Sequence, residues 1–283
     1  MFPLSSFVWN GAARLSFGPH PKRARQDAES LLLHVLGENK AWLLAHLDDE
    51  LPKDQSARFA QIIERRYRGE PIQYILGEAE FFGLPFRVTP SVLIPRPETE
   101  HLVEKAIELA ARFPAPRIAD VGAGSGCIAI ALAHHLPDAR ITAIDLAAPA
   151  VAIARQNTDR NGVPSQIRFL HGDLLAPVAQ EQLDIVVSNP PYVPLTDRDT
   201  LAVEVRDHEP ALALFAGPDG LDIYRRLIPQ AFACLVSGGF IALEIGYGQS
   251  EAIAGLLAAS GFHQIEFIPD LQSIPRVACA QRP

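Results

Sequence analysis

The sequence predicts an α/β protein: a mostly parallel sheet covered by helices on both faces, preceded by a small helical bundle. Three observations predict it. From Arg117 onward, short apolar runs alternate with helical segments, the pattern of a parallel sheet with crossover helices. The first 80 or so residues carry helical periodicity only. A glycine-rich turn, Gly122 to Gly126, joins the first strand to its helix, where open α/β sheets place their ligands.

In chain order, Ala24, Ala28, Leu31, Leu32 and Val35 recur at helical spacing between Arg23 and Leu36, and Gly37 stops the run. Asn39 can cap a short helix carrying Trp42, Leu43 and Leu44. Pro52 sits near the first turn of another helix, which runs to about Tyr67 before Gly69. Arg65, Arg66 and Arg68 end it; cations favour that end of the helix dipole, and a solvated last turn accounts for them. Phe81 to Val88, broken by Gly83 and Pro85, suits a hairpin or an extended linker. Pro90, Pro95 and Pro97 hold the following segment out of helix, and Pro97 with Glu98 and Glu100 opens a new one. The expected division is thus a helical domain over 1–80, a hairpin or linker over 81–97 and a catalytic domain over 98–283.

Within the third part, strands are expected over 118–121, 140–145, 167–171, 183–188 and 240–244, and helices over 127–135, 149–161, 223–235 and 251–259. The stretch from 189 to about Gly220 reads as loop. Strands at 264–268 and 277–280 have little between them, so the C-terminal end is expected to be an antiparallel hairpin.

The formal net charge of −8 argues against a long nucleic-acid duplex as main partner, since such a partner favours a basic face. Cys127, Cys234 and Cys279 are far apart, lack metal-clip spacing and sit in apolar segments, so they read as small buried hydrophobes in a reducing compartment, with no metal site. Met1 to Gly11 lacks a basic region followed by an apolar one, so no secretory signal is expected. No uncharged apolar stretch reaches the roughly 20 residues of a membrane span. A cytoplasmic monomer without a membrane partner is expected.

The loop Asp120-Val121-Gly122-Ala123-Gly124-Ser125-Gly126 removes side chains where a ligand must approach the backbone. Asp145 ends the next strand roughly 20 residues on, the place of a carboxylate that accepts ribose hydroxyls. NAD-binding proteins share those two features, but with G-x-G-x-x-G and a helix N-terminus facing pyrophosphate. Here the order is G-x-G-x-G, with Asp120 two residues before it. A carboxylate there disfavours pyrophosphate and suits the amino-acid end of a cationic sulfonium, which favours S-adenosylmethionine over NAD.

Asn189-Pro190-Pro191-Tyr192 follows the fourth strand of the sheet directly. Turn punctuation is one account of it. Its position downstream of the glycine loop and Asp145 supplies another. An amide nitrogen is a poor nucleophile, because its lone pair is delocalised into the carbonyl. The Asn189 side-chain oxygen and the Pro190 carbonyl could grip both N–H bonds and hold the nitrogen against a methyl donor. Pro191 stiffens the corner with Pro190, and Tyr192 offers an aromatic face to a planar group. No general base is needed before transfer, so none of the nine histidines is nominated.

At these residues the chain resembles the class I S-adenosylmethionine-dependent methyltransferases with a Rossmann-like sheet, and within them the HemK/PrmC family of peptide chain release factor glutamine N5-methyltransferases. The resemblance spans nearly the whole chain. It includes Asp27-Ala28-Glu29-Ser30-Leu31-Leu32, Leu93 to Glu100, Asp120 to Gly126, Ser188 to Tyr192, Glu204-Val205-Arg206 with Glu209-Pro210, Asp219-Gly220-Leu221 and Ser237-Gly238-Gly239. It implies a cofactor site at Gly122 to Gly126, Asp145, Leu174 after Asp173, and Asn189, with S-adenosylhomocysteine as product. It implies that Asn189 to Tyr192 hold the glutamine of the release factor's Gly-Gly-Gln loop and that the N-terminal helices dock that protein. It places Arg96 and Glu98 beside the active site; a helix-start ion pair explains them equally. Glu204, Arg206 and Glu209 read as a substrate mouth or as a solvated loop.

Two positions depart from the family pattern: Ser273 stands where a glycine often precedes the Arg276-Val277 pair, and Leu174 where an aromatic is common. Two related activities share parts of the pattern, glutamine methylation of a ribosomal protein and adenine-N6 methylation of nucleic acid. The Pro97-Glu98-Thr99-Glu100 stretch favours the release-factor branch over the first, and net acidity disfavours the second.

Overall fold

The computed structural model describes residues 2–163 and 165–283. The chain divides into two compact units, Met1–Gly77 with Leu201–His208, and Glu78–Thr200 with Glu209–Pro283.

The first unit is helical: α1 (Leu4–Leu15), α2 (Ala24–Leu36), α3 (Lys40–Ala45), α4 (Lys53–Tyr67) and α5 (Ile72–Leu76), joined by a short helix over Val203–His208. The sequence reading passes over α1, although Leu4, Val8, Gly11 and Leu15 recur at helical spacing and are buried. Gly11 is required where α1 meets its neighbours: a Cβ there would lie 3.0 Å from the Phe59 ring and 3.2 Å from the Ala28 Cβ. Asn39 caps α3, its side chain accepting from the Trp42 amide at 2.9 Å. Gly37 ends α2 in the left-handed region at φ 72°.

Arg66 is not the solvated terminal cation expected from sequence. It is buried, its Nε donates to Asp27 at 2.7 Å, and its Nη1 donates to Glu204 at 3.0 Å. Arg65 and Arg68 do face solvent, pairing with Glu70 and Glu64. Asp27 is almost fully buried, so a cation must meet it there. Glu204 accordingly serves inside the helical unit, salt-bridged to Arg66 and to His20.

The second unit opens with the hairpin β1 (Glu78–Phe81) and β2 (Leu84–Arg87), then α6 (Glu100–Ala110). Next come β3 (Arg117–Val121), α7 (Cys127–His135), β4 (Arg140–Asp145), α8 (Ala148–Arg160), β5 (Ile167–His171) and β6 (Leu183–Ser188). The stretch expected to be loop holds short turns and the Val203–His208 helix, designated α9, which buries no residue of its own. The chain closes with α10 (Asp222–Cys234), β7 (Leu235–Glu244), α11 (Ser250–Ala259), β8 (His263–Pro269) and β9 (Pro275–Gln281). Strand β7 starts five residues before its expected beginning, because Leu235 already pairs with Leu183.

The seven-stranded sheet runs β5-β4-β3-β6-β7-β9-β8; the first five strands are parallel, and β9 is antiparallel to both its neighbours. Period-two burial divides the strands between two cores. Ile118, Ile185, Val187 and Ala242 pack in one core with α6 and α7 residues. Ala119, Val186, Ile241 and Leu243 pack in the other with residues of α10 and α11. Asp184, a charge within the apolar β6, is neutralised by Arg117, which donates from its backbone and side chain at 2.8–3.0 Å. Cys127, Cys234 and Cys279 are buried and unbonded to one another. No helix among the described residues is long and apolar enough to cross a membrane.

Replacing Arg66 by Met removes the buried partner of the Asp27 carboxylate, leaving it only the more exposed Arg23 at 3.5 Å, and should cost about 3–5 kcal/mol. The double variant Asp27→Leu/Arg66→Met should regain most of that loss. Chemical denaturation of the three proteins checks both; equal midpoints for Arg66→Met and wild type would exclude the ion pair as a structural support.

Candidate active site

Order in the sheet creates the site. β4 and β6 flank β3 on opposite sides, so the connections after β3 and β6 leave in opposite directions and a crevice opens at their carboxyl ends. A cleft of about 890 Å³, mouth included, occupies that position, within the size range of small-molecule sites.

Its floor is the glycine turn. Gly122, Gly124 and Gly126 have φ of 77°, 56° and 80°, a region that side chains disfavour. The amides of Gly122 and Ala123 both donate to the Ile144 carbonyl, at 2.8 and 3.0 Å, which ties the turn to β4. Asp145 ends β4 and accepts from the Gly124 and Ala147 amides at 2.8 Å, one at each oxygen. A carboxylate oxygen carries a second lone pair, so both keep acceptor capacity toward the cleft. Asn157, fully buried on α8, braces the turn from behind: it donates to the Ser125 and Arg87 carbonyls and accepts from the Arg87 amide.

Asp120 points inward. One oxygen accepts from the Ala129 amide in the first turn of α7 at 3.1 Å, and the other, though buried, has no hydrogen-bond partner among the described residues. Burial pushes this carboxyl up to about 7.

Asn189 follows β6 at the other side of the cleft. Its Nδ2 donates to Thr99 Oγ1 at 3.0 Å; that hydroxyl donates to Glu244 Oε2 at 2.6 Å. The Tyr192 hydroxyl donates to the other Glu244 oxygen at 3.2 Å, and the Tyr224 hydroxyl to the Glu244 carbonyl at 2.6 Å. Glu244 ends β7 inside the protein, and burial pushes it up to about 7. Burial likewise raises the Tyr192 hydroxyl far above its ordinary range, so it remains a donor.

Of the residues singled out from sequence, Gly122, Gly124, Asp145, Asp173, Leu174, Asn189 and Pro191 line the cleft. Ala123, Ser125 and Gly126 complete the turn without lining it. Pro190 is buried behind the corner, and Tyr192 packs against the core beneath the sheet's α10 face. Asp173 pairs with Arg226, and Leu174 reaches the wall from a left-handed backbone at φ 49°. Arg96 pairs with the buried Glu209, not with Glu98, which lies exposed on the turn Pro97–Thr99. Glu209 also accepts from the Ile94 amide at 3.4 Å and is buried, so it does not belong to a solvated loop.

Sequence reasoning missed Thr99, Glu244, Asn157 and Arg226. A signal existed for one of them: an acid closing the apolar run Phe240-Ile241-Ala242-Leu243 is costly unless it is engaged.

Comparison with known proteins agrees with this architecture. Residues 12–77 match the family model described as the PrmC N-terminal domain, and residues 99–205 the one described as the methyltransferase small domain. The chain is 42% identical over 260 residues to a release factor glutamine methyltransferase of Koribacter versatilis, covering 92% of this chain and 91% of that protein. It is 41% identical over 279 residues to one of Deinococcus radiodurans, covering 99% and 98%. Among solved structures, ribosomal protein L11 methylase from Lactobacillus delbrueckii subsp. bulgaricus is 26% identical, with a TM-score of 0.51, covering 70% of this chain and 86% of that one.

Asp120 titrates in the fold near 7 against an ordinary 3.8. The folded value is the higher one, so its stabilising contribution is complete below about pH 4 and is lost as pH rises to about 7. Asp120→Asn keeps an acceptor for Ala129 and cannot ionise. Its melting temperature should therefore gain on wild type as pH rises from 4 to 7 and run parallel to it above. Parallel curves across the whole range would show that the carboxyl does not resist ionisation.

Proposed function

The chain belongs to the release factor glutamine methyltransferase family, and from that premise we propose that it methylates the side-chain amide nitrogen, N5, of the glutamine in the Gly-Gly-Gln loop of peptide chain release factors. The methyl donor is S-adenosylmethionine, whose sulfonium supplies an electrophilic methyl group. The residues of the cleft fit such a donor. Gly122 and Gly124 present bare backbone, and the Asp145 oxygens retain lone pairs for ribose hydroxyls. Ile144, Leu146 and Leu174 form an apolar wall for an adenine. The Asp120 oxygen that has no hydrogen-bond partner among the described residues adds acceptor capacity behind the turn, and a bound cation there would favour its ionised form where a pyrophosphate would not.

One observation carries the reading: the Asn189 amide nitrogen is already committed to Thr99, so its oxygen is the end left for a substrate. That oxygen accepts one N–H of the glutamine amide, and the Pro190 carbonyl accepts the other. Gripping both bonds fixes the nitrogen and stabilises the positive charge it acquires as the new N–C bond forms. The N–H proton, made acidic by alkylation, leaves to solvent afterwards. The helical unit and the Leu201–His208 segment that clusters with it dock the release factor, in the cytoplasm where translation terminates.

Incubation with purified release factors and methyl-labelled S-adenosylmethionine, followed by mass mapping, should place one methyl on the Gly-Gly-Gln glutamine. Label entering DNA or a ribosomal protein at matching rates would overturn the assignment. Asn189→Ala should leave cofactor affinity nearly unchanged and lower the transfer rate about 10²–10³-fold. Asp145→Ala should instead weaken cofactor binding first, as calorimetry would register; equal effects of the two substitutions on affinity would contradict this division of roles.

A further inference from the structure

We infer that Thr99 and Glu244 are positioning residues that decide which way round the Asn189 carboxamide sits, and that transfer is competent only when Glu244 is ionised. The inference rests on the proposed role of Asn189. The two ends of a carboxamide are nearly the same size but opposite in hydrogen-bonding sense. With its oxygen toward the cleft, Asn189 accepts a substrate N–H. Turned over, it presents two donors to a group that is itself a donor, and the grip on the nitrogen is lost.

The choice is made by counting protons along the chain of hydrogen bonds. An ionised carboxylate only accepts. Thr99, 2.6 Å from Glu244 Oε2, must therefore spend its single proton there. Having spent it, the hydroxyl can only accept, and its partner at 3.0 Å is the Asn189 Nδ2. Thr99 and Glu244 are each 2% exposed, so water has little access with which to scramble the sequence of donors. The second Glu244 oxygen is held by the Tyr192 hydroxyl, from the same corner that carries Asn189. Three separate segments thus converge on one orientation: the turn before α6, the corner after β6, and the end of β7.

Protonation of Glu244 reverses the count. A carboxylic acid can donate to Thr99 Oγ1, which frees the threonine proton to point at Asn189 and favours the overturned amide. The groups facing Glu244 are Tyr192 on the corner, Tyr224 on α10, whose hydroxyl binds the Glu244 carbonyl, Thr99 on its turn, and the Cys127 thiol at the start of α7. Glu98 disfavours the charged form of Glu244 and Arg276 favours it, while burial outweighs both and brings the carboxyl to about 7. The switch consequently falls near neutrality: competent above about pH 7, progressively disabled below it.

The test uses the full-length protein with its release factor. Thr99→Val should lower kcat about 10-fold or more while cofactor affinity and KM stay within about threefold, and Thr99→Ser, which keeps the hydroxyl, should restore most of the rate. Wild-type kcat should fall through an acid limb near pH 7, and that limb should vanish in Glu244→Gln and in Thr99→Val. Independently of catalysis, the ¹⁵N-labelled Asn189 side-chain amide signals should shift with a midpoint near pH 7 in the wild type and stay flat in Glu244→Gln. Should Glu244→Gln fail to fold, Thr99→Val carries both the kinetic and the spectroscopic comparison. A Thr99→Val enzyme with wild-type kcat, or an acid limb that persists in both variants, would overturn the inference. If the wild type methylates no release factor, the proposed function fails instead, and the Asn189 resonances still report on the switch.

Discussion

Burial of the parallel strands on both faces is the constraint from which the site follows. Every position along β6 is buried, and the neighbouring strands are nearly as enclosed. Polar chemistry is therefore confined to the strand ends. The register then sets which residues meet there. Ile144, Val121, Ser188 and Leu243 are paired in sequence across β4, β3, β6 and β7. One step further along the four chains stand Asp145, Gly122, Asn189 and Glu244. A carboxylate, a gap, an amide and a second carboxylate thus follow one another across the ends of adjacent strands, without any long-range device beyond strand pairing. The gap matters as much as the side chains, because Gly122 turns the chain at φ 77°, a backbone region that side chains disfavour.

That arrangement works against stability. Asp120 and Glu244 are held where ionisation is resisted, and one Asp120 oxygen has no hydrogen-bond partner among the described residues. Buried acids of this kind are retained where their charge serves a purpose at another atom. Asp120 lies behind the turn that a cationic ligand would approach, and Glu244 lies two hydrogen bonds from Asn189. The helical unit shows a contrasting solution for the same problem: Asp27, equally buried, is met by Arg66.

Much of this was legible in the sequence, for identifiable physical reasons. The Gly122 to Gly126 turn, Asp145 and the Asn189 to Tyr192 corner are local signals, each written in consecutive residues whose backbone preferences are strong. Less legible was anything that depends on a partner distant in sequence. Arg66 has the appearance of a solvated helix terminus until Asp27, 39 residues away, is brought beneath it. Arg96 suggests a helix-start pair with Glu98 and finds Glu209 instead, 113 residues away. Thr99 stood inside a segment noticed for its charges, and its importance appears only when Glu244 and Asn189 arrive from either side. Helix α9 escaped because it is short, polar and buries no residue, so it has no periodic face to read.

The two prolines of the corner have a consequence beyond stiffness. Proline has no backbone N–H, so Pro190 and Pro191 remove two donors from the corner after β6. What the corner can offer a substrate is then almost wholly acceptor in character: the Asn189 side-chain oxygen, with its amide nitrogen turned away to Thr99, and the main-chain carbonyls. The corner is fastened on its far side as well, where Gln249 donates to the Tyr192 carbonyl at 3.0 Å and the Val193 amide donates to Leu214 at 2.9 Å. A surface poor in donors and anchored at its far end can discriminate by hydrogen-bonding sense. A carboxamide held through its nitrogen, as proposed for Asn189, would suit such a surface better than an ester or carboxylate oxygen, which needs donors. On the proposed role of Asn189, selectivity for a nitrogen acceptor would begin in the backbone chemistry of four residues, before any contact with the rest of a protein substrate is considered.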